Sequence, residues 1–197
     1  LVRFPIVEVI SRYPRQVTAA TLARVVSDVA FYIFTTFVIS FGTMYLNLDR
    51  SLFVNATLVG AIVAAIVMPY FGYLADRYSR KLLYQLGSLL VILWAAPYYE
   101  LLGTQNPVII LLTVAVSLIL HALMFGPLAA LIAENFPTRV RYSGASVSYQ
   151  LTGILGGGLA PMIATGLLRD YGSPLAVSAY LVAVSIISII ATFFLRD

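Results

Sequence analysis

The chain has no cysteine, one histidine and one tryptophan, and charged residues make up only 10% of its 197 positions. Without cysteine there is no disulfide framework, no thiolate nucleophile and no sulfur metal site. A soluble domain of ordinary composition carries about 25% charged residues, so this chain has too few to cover itself against water. Its eight acidic residues are scattered over several loops, and His121 lies within an apolar run. The clustered carboxylates, histidines or nucleophile that a membrane enzyme needs are therefore missing, and neither a metal site nor a cofactor is expected. No G-x-x-x-x-G-K loop occurs, which excludes direct coupling to ATP through this chain.

What the sequence has in abundance is apolar length. Hydrophobic residues make up 61% of it. A membrane-spanning helix needs about 20 mostly apolar residues. Six such runs lie at 18–46, 52–74, 83–102, 107–133, 144–168 and 174–195, with the charges gathered in the breaks between them. Outer-membrane barrel strands would be about 10 residues long and would alternate apolar with polar. The expected fold is therefore an all-α membrane protein, a bundle of six transmembrane helices in a lipid bilayer.

With six spans, alternate breaks share a side. Arg3, Arg12, Arg15, Arg24, Arg77, Arg80, Lys81, Arg139, Arg141 and Arg196 fall on one side, and Arg50 and Arg169 on the other. The positive-inside rule makes the first side cytoplasmic and predicts both chain ends in the cytoplasm. This bias accounts for the net charge of +4 without a nucleic-acid partner. Residues 1–17 hold two prolines and too short an apolar stretch for a signal peptide, and read as a cytoplasmic connector. Because the chain starts at Leu1 instead of Met, it is expected to be half of a longer polypeptide.

Two charged loops carry the most specific signal. Between the second and third runs stands Gly72-Tyr73-Leu74-Ala75-Asp76-Arg77-Tyr78-Ser79-Arg80-Lys81. Gly72 permits close helix approach, and Asp76 can accept charge-assisted hydrogen bonds from Arg77 or Arg80. This string resembles the G-x-L-A-D-R-x-G-R-K signature of the major facilitator superfamily, with Ser79 where glycine is usual. The segment Glu134-Asn135-Phe136-Pro137-Thr138-Arg139-Val140-Arg141, continued by Tyr142-Ser143-Gly144-Ala145-Ser146, resembles the E-x-F-P-T-x-x-R loop of that superfamily's porters and, more narrowly, its metabolite:proton symporters. Asn135 departs from the apolar residue common there. The resemblance implies the C-terminal six-helix half of a twelve-helix transporter, with an N-terminal half as its partner, in a bacterial-type inner membrane. It also implies a cytoplasmic gate built from Gly72, Asp76, Arg77, Arg80, Lys81, Glu134, Arg139 and Arg141, in which Glu134 pairs with Arg80 or Arg77. The plainer reading of the same charges is that they orient the loops.

An ionisable group inside a span costs about 2.5–3.5 kcal/mol on insertion scales, so each one calls for an explanation. Arg24 and Asp28 are four apart on one helix face and form either an ion pair at the headgroup boundary or part of a solute or proton site. His121 sits near the middle of the fourth run. It is either a proton-coupling group or a neutral imidazole satisfied by a neighbouring hydroxyl. Asp28, Tyr32 and Thr36 share a helical face that is the first choice for a cavity wall, with Asn55, Gln150 and Met124 as further candidates. Tyr98 and Tyr99 read as interfacial-belt residues. Gly153 and Gly157 form a small-xxx-small pair suited to close packing, and Pro161 marks a bend. The expected function is secondary transport of a small metabolite, an organic acid or a zwitterion, by proton symport. The alternative is a membrane receptor or structural subunit that does not transport.

Overall fold

The computed structural model describes residues 5–195, so the placement expected for Arg3 and Arg196 lies outside the described residues. A short helix, α1 (Pro5–Arg12), precedes six long apolar ones: α2 (Pro14–Tyr45), α3 (Arg50–Arg77), α4 (Arg80–Gly103), α5 (Pro107–Ala133), α6 (Arg141–Tyr171) and α7 (Pro174–Thr192). No strand occurs among the described residues. The molecule is an all-α bundle of six membrane-length helices. The described part of the connector expected at 1–17 holds α1 and the first turn of α2. Most of that segment is helical, and α2 begins at Pro14, where the ring fixes φ in the first turn and no amide is lost.

Short polar side chains cap the starts of four of the six spans. Asp49 accepts from the Ser51 amide at 3.1 Å, Asn106 from Val108 at 3.0 Å and Ser173 from Leu175 at 3.3 Å, each at the start of the next helix. Ser79 accepts from the Leu82 amide at 3.0 Å with its own φ at −168°. This explains why serine serves where the family pattern has glycine: the position is an extended N-cap and needs no left-handed conformation. Gly172, at φ 62°, closes α6 in the left-handed region that suits glycine.

Helices α2 and α5 are the most buried, and the others pack around them. α5 runs against both α3 and α4, while α2 packs on α6 and α7. Gly126 of α5 meets α3 backbone so closely that a methyl group there would lie 3.1 Å from the Gly72 amide nitrogen and 3.2 Å from the Met68 carbonyl. At one end of the bundle an aromatic core forms from Phe34, Phe37 and Phe41 of α2 against Tyr98 and Tyr99 of α4, with ring centroids 5.0 Å apart for Phe34–Tyr98 and 5.2 Å for Phe41–Tyr99. The interfacial-belt reading of the two tyrosines is corrected by this packing, because their rings are buried against helix α2.

The helical period is broken in two of the spans. α2 widens into π-helical turns at Ile33–Phe37 and Phe41–Tyr45, and α6 at Gly153–Gly158. Pro161 lies two residues into the regular helix Ala160–Tyr171, so the irregularity stands ahead of the proline. Proline has no amide to offer the carbonyl four residues back, which loosens the turn before it.

Candidate functional site

The two wide-turned helices face one another across a cavity of about 520 Å³, with α3 and α5 supplying the remaining walls. The segment of α2 that enters it, Thr21–Asp28, is apolar except for Thr21, Arg24, Ser27 and Asp28. Arg24 Nη2 lies 2.9 Å from Asp28 Oδ1, and the two side chains are only 11% and 10% exposed. Arg24 Nη1 donates to the Tyr149 carbonyl at 2.8 Å, and its guanidinium lies 3.7 Å from the centroid of the Tyr149 ring. Arg24 is ten residues, about 15 Å of helix, in from the start of α2. The geometry is that of a charge pair held inside the bundle and facing a cavity.

His121 reaches the same cavity from α5. Its Nε2 is 3.3 Å from Ser27 Oγ, and Phe31 and Phe125 flank the ring with centroids at 5.2 and 5.4 Å. The hydroxyl partner weighed for a neutral histidine is therefore present, one residue from Asp28. Tyr32 and Gln150 also line the cavity. Thr36, Asn55 and Met124 do not. Thr36 lies within the first wide turn and is exposed, Asn55 is exposed on another face of α3, and Met124 is buried with its sulfur 3.4 Å from Ser88 Oγ. The residues singled out by sequence spacing thus separate, with Asp28, Tyr32, His121 and Gln150 brought together and Thr36 and Asn55 left outside.

Around this segment, α2 is held by hydroxyls from three other helices. Tyr84 of α4 donates to the Ala23 carbonyl, and Thr152 of α6 to the Thr21 carbonyl at 3.2 Å. Ser188 of α7 donates to the Leu22 carbonyl at 2.7 Å and accepts from the Val26 amide at 3.1 Å. The carbonyls of Thr21, Leu22 and Ala23 and the Val26 amide thereby gain partners, and together these bonds fix the rotation of α2 that points Arg24 and Asp28 into the cavity.

At the α2-start end of the bundle, Arg80 contacts Asp76 Oδ1 with Nε at 2.8 Å and Nη2 at 2.7 Å, and its Nη1 pairs with Glu134 of the α5–α6 loop. Arg139 pairs with Glu8 of α1, and Lys81 Nζ donates to the Leu195 carbonyl at 3.1 Å. Arg141 Nε donates to the Phe136 carbonyl at 3.4 Å. Gly72 sits against Gly126, and Arg77 is exposed. One end of the bundle therefore gathers ion pairs and hydrogen bonds from α1, both charged loops and the segment after α7.

The family model of the Major Facilitator Superfamily matches residues 2–161. The chain belongs to that superfamily. It is 34% identical over 96% of its length to the inner membrane metabolite transport protein YhjE of Escherichia coli, and 30% identical over 99% to the shikimate transporter of the same organism. A citrate-proton symporter of Klebsiella pneumoniae is 27% identical over 91% of the chain. The chain covers 44%, 45% and 40% of these proteins, and so spans about half the length of the curated relatives it matches. No solved structure matches it significantly. Proteins of this superfamily named among its relatives are transporters, and the chain is not an enzyme.

Within this major facilitator bundle, Phe31, Phe125 and Tyr149 line the cavity without having been expected there from sequence. Tyr149 carried a signal, since it neighbours Gln150 in the same string; Phe31 and Phe125 carried none, because an aromatic residue in an apolar run looks the same whether it faces lipid or a cavity. The glycines of α6 also redistribute. A methyl group at Gly153 would meet nothing, whereas at Gly156 it would lie 2.7 Å from Asp28 Cβ and at Gly157 2.9 Å from the Tyr32 ring. Close approach is therefore set by Gly156 and Gly157, not by the Gly153–Gly157 pair. Gly156→Ala should push α6 from Asp28 and lower stability by about 1–3 kcal/mol, the usual range for overpacking. A melting curve of the intact protein in detergent measures it, and an unchanged midpoint would show that the helices can separate without cost.

Proposed function

We propose that this chain is one half of a proton-coupled secondary transporter for a small organic acid, working by alternating access in a bacterial-type inner membrane with both chain ends in the cytoplasm. The observation that carries the reading is the Arg24–Asp28 pair facing the cavity beside Tyr149 and His121. A guanidinium recognises a carboxylate through paired N–H donors, so a carboxylate solute and Asp28 compete for the same group. Protonation of Asp28 removes the competitor. Proton and anion then enter together, which is the requirement for symport. Tyr32, His121 and Gln150 supply further polar contacts; shikimate and citrate, named for two relatives, are carboxylates, while others are named for the zwitterions proline and betaine, which also carry a carboxylate.

The Asp76–Arg80–Glu134 cluster serves in this reading as a latch on the gate, with Gly72, Arg77, Lys81, Arg139 and Arg141 as its supporting residues. An N-terminal half supplies the opposite wall of the cavity. The test is uptake of labelled shikimate, citrate, proline and glycine betaine by cells expressing the complete gene, with and without a protonophore. Accumulation of a carboxylate that the protonophore abolishes is the expected result. Accumulation that resists the protonophore would remove the coupling claim, and binding without accumulation would favour the receptor reading.

A further inference from the structure

A second cavity, of about 810 Å³, lies on the outer side of the bundle between the start of α2 and the end of α7, away from the Arg24–Asp28 site. Its apolar walls are Leu22 of α2, Ile187 and Ile190 of α7 and Phe194 just beyond it, all exposed large apolar side chains, with Asn135 of the α5–α6 loop also lining it. At Leu22 the two helices are tied together, since Ser188 donates to the Leu22 carbonyl. From there the groove follows α2 back to Arg15, seven residues or about 10 Å away, where the lining turns polar with Gln16 and Thr18. Arg15 is exposed, stands in the first turn of a 32-residue helix, and has no acidic residue beside it in that turn. The macrodipole adds to its positive potential. At the same end Lys81 binds the Leu195 carbonyl, bringing a second cation to the end of α7.

An apolar slot opening at a cationic rim is complementary to one molecule in particular: a lipid with an apolar chain and a negative head. We propose that this groove binds a single anionic phospholipid, with an acyl chain between α2 and α7 and its phosphodiester against Arg15. The proposal is independent of what the central cavity carries. A zwitterionic lipid matches the walls equally well but gains nothing net from Arg15. Free phosphate matches the rim and leaves the walls bare.

Native mass spectrometry of the intact, delipidated protein titrated with phosphatidylglycerol and with phosphatidylcholine tests it. One surface arginine should give the first phosphatidylglycerol about a fivefold preference over phosphatidylcholine. Arg15→Gln, an exposed substitution that leaves the fold alone, should bring the two lipids to parity, and Ile190→Trp should weaken both by filling the slot. Equal binding of the two lipids to the unaltered protein would overturn the proposal, as would a preference that survives Arg15→Gln. So would glycerol phosphate binding as tightly as the lipid, since the apolar walls would then contribute nothing. Failure to retain any lipid would mean that another part of the intact protein occupies the groove, which also overturns it.

Discussion

Asp28→Asn should reduce protonophore-sensitive accumulation by roughly 10- to 100-fold, the equivalent of about 1.5–3 kcal/mol for a hydrogen bond to a charged group. The asparagine fills the same space but carries no charge and takes no proton at neutral pH. Two effects follow from the same change: Arg24 loses its counter-charge, and the cavity loses its only carboxylate among the described lining residues. Losing one partner of a buried pair also destabilises, by about 3–5 kcal/mol in well-buried cases, so the amount of folded protein in the membrane must be measured beside uptake. The double variant Arg24→Gln/Asp28→Asn separates the causes. It restores neutrality, and should recover folded protein without recovering accumulation. Wild-type accumulation by a folded Asp28→Asn variant would show that another group couples the proton.

Arg80→Ala should slow uptake by about tenfold while changing the melting temperature little. Arg80 is the shared partner of Asp76 and Glu134, and so joins the α3–α4 turn to the end of α5. The side chains of the three are 27%, 63% and 48% exposed, and pairs so accessible to solvent contribute only about 0.2–1 kcal/mol to stability. A large loss of rate against that small loss of stability is the signature of a latch between two conformations. Arg80→Lys should fall between the two, because an ammonium cannot offer the planar fork that reaches both carboxylates. Initial uptake rates compared with equilibrium binding of the same labelled solute give the answer. Equal losses in rate and in stability would reduce the cluster to loop orientation.

Much of the architecture was legible in one dimension. Apolar length marked each spanning helix to within a few residues, because a chain in hydrocarbon must satisfy its backbone internally and only a long helix does so. The two charged loops identified the superfamily, and one of their contacts is local in sequence: Arg80, at the start of α4, reaches Asp76, at the end of α3, across the tight turn that joins them. The wall residues of the cavity were less legible. Asp28 and Tyr32 belong to one regular stretch of α2, so spacing predicted their shared face. Thr36 lies beyond the change of pitch at Ile33, and an i, i+4 extrapolation across a π-helical turn loses its phase.

The sequence by itself determined the number of spans, their positions, which loops share an end and the family, because each depends on composition along the chain. Only the tertiary structure decided which face of each helix is inside. It put Arg24 and Asp28 on the wall of a cavity, and it buried Tyr98 and Tyr99 in a core instead of a belt. It also joined Ser27 to His121 across 94 residues. The physical reason is that rotation about a helix axis is fixed by neighbours. In α2 those neighbours are the hydroxyls of Tyr84, Thr152 and Ser188, on three different helices far along the chain.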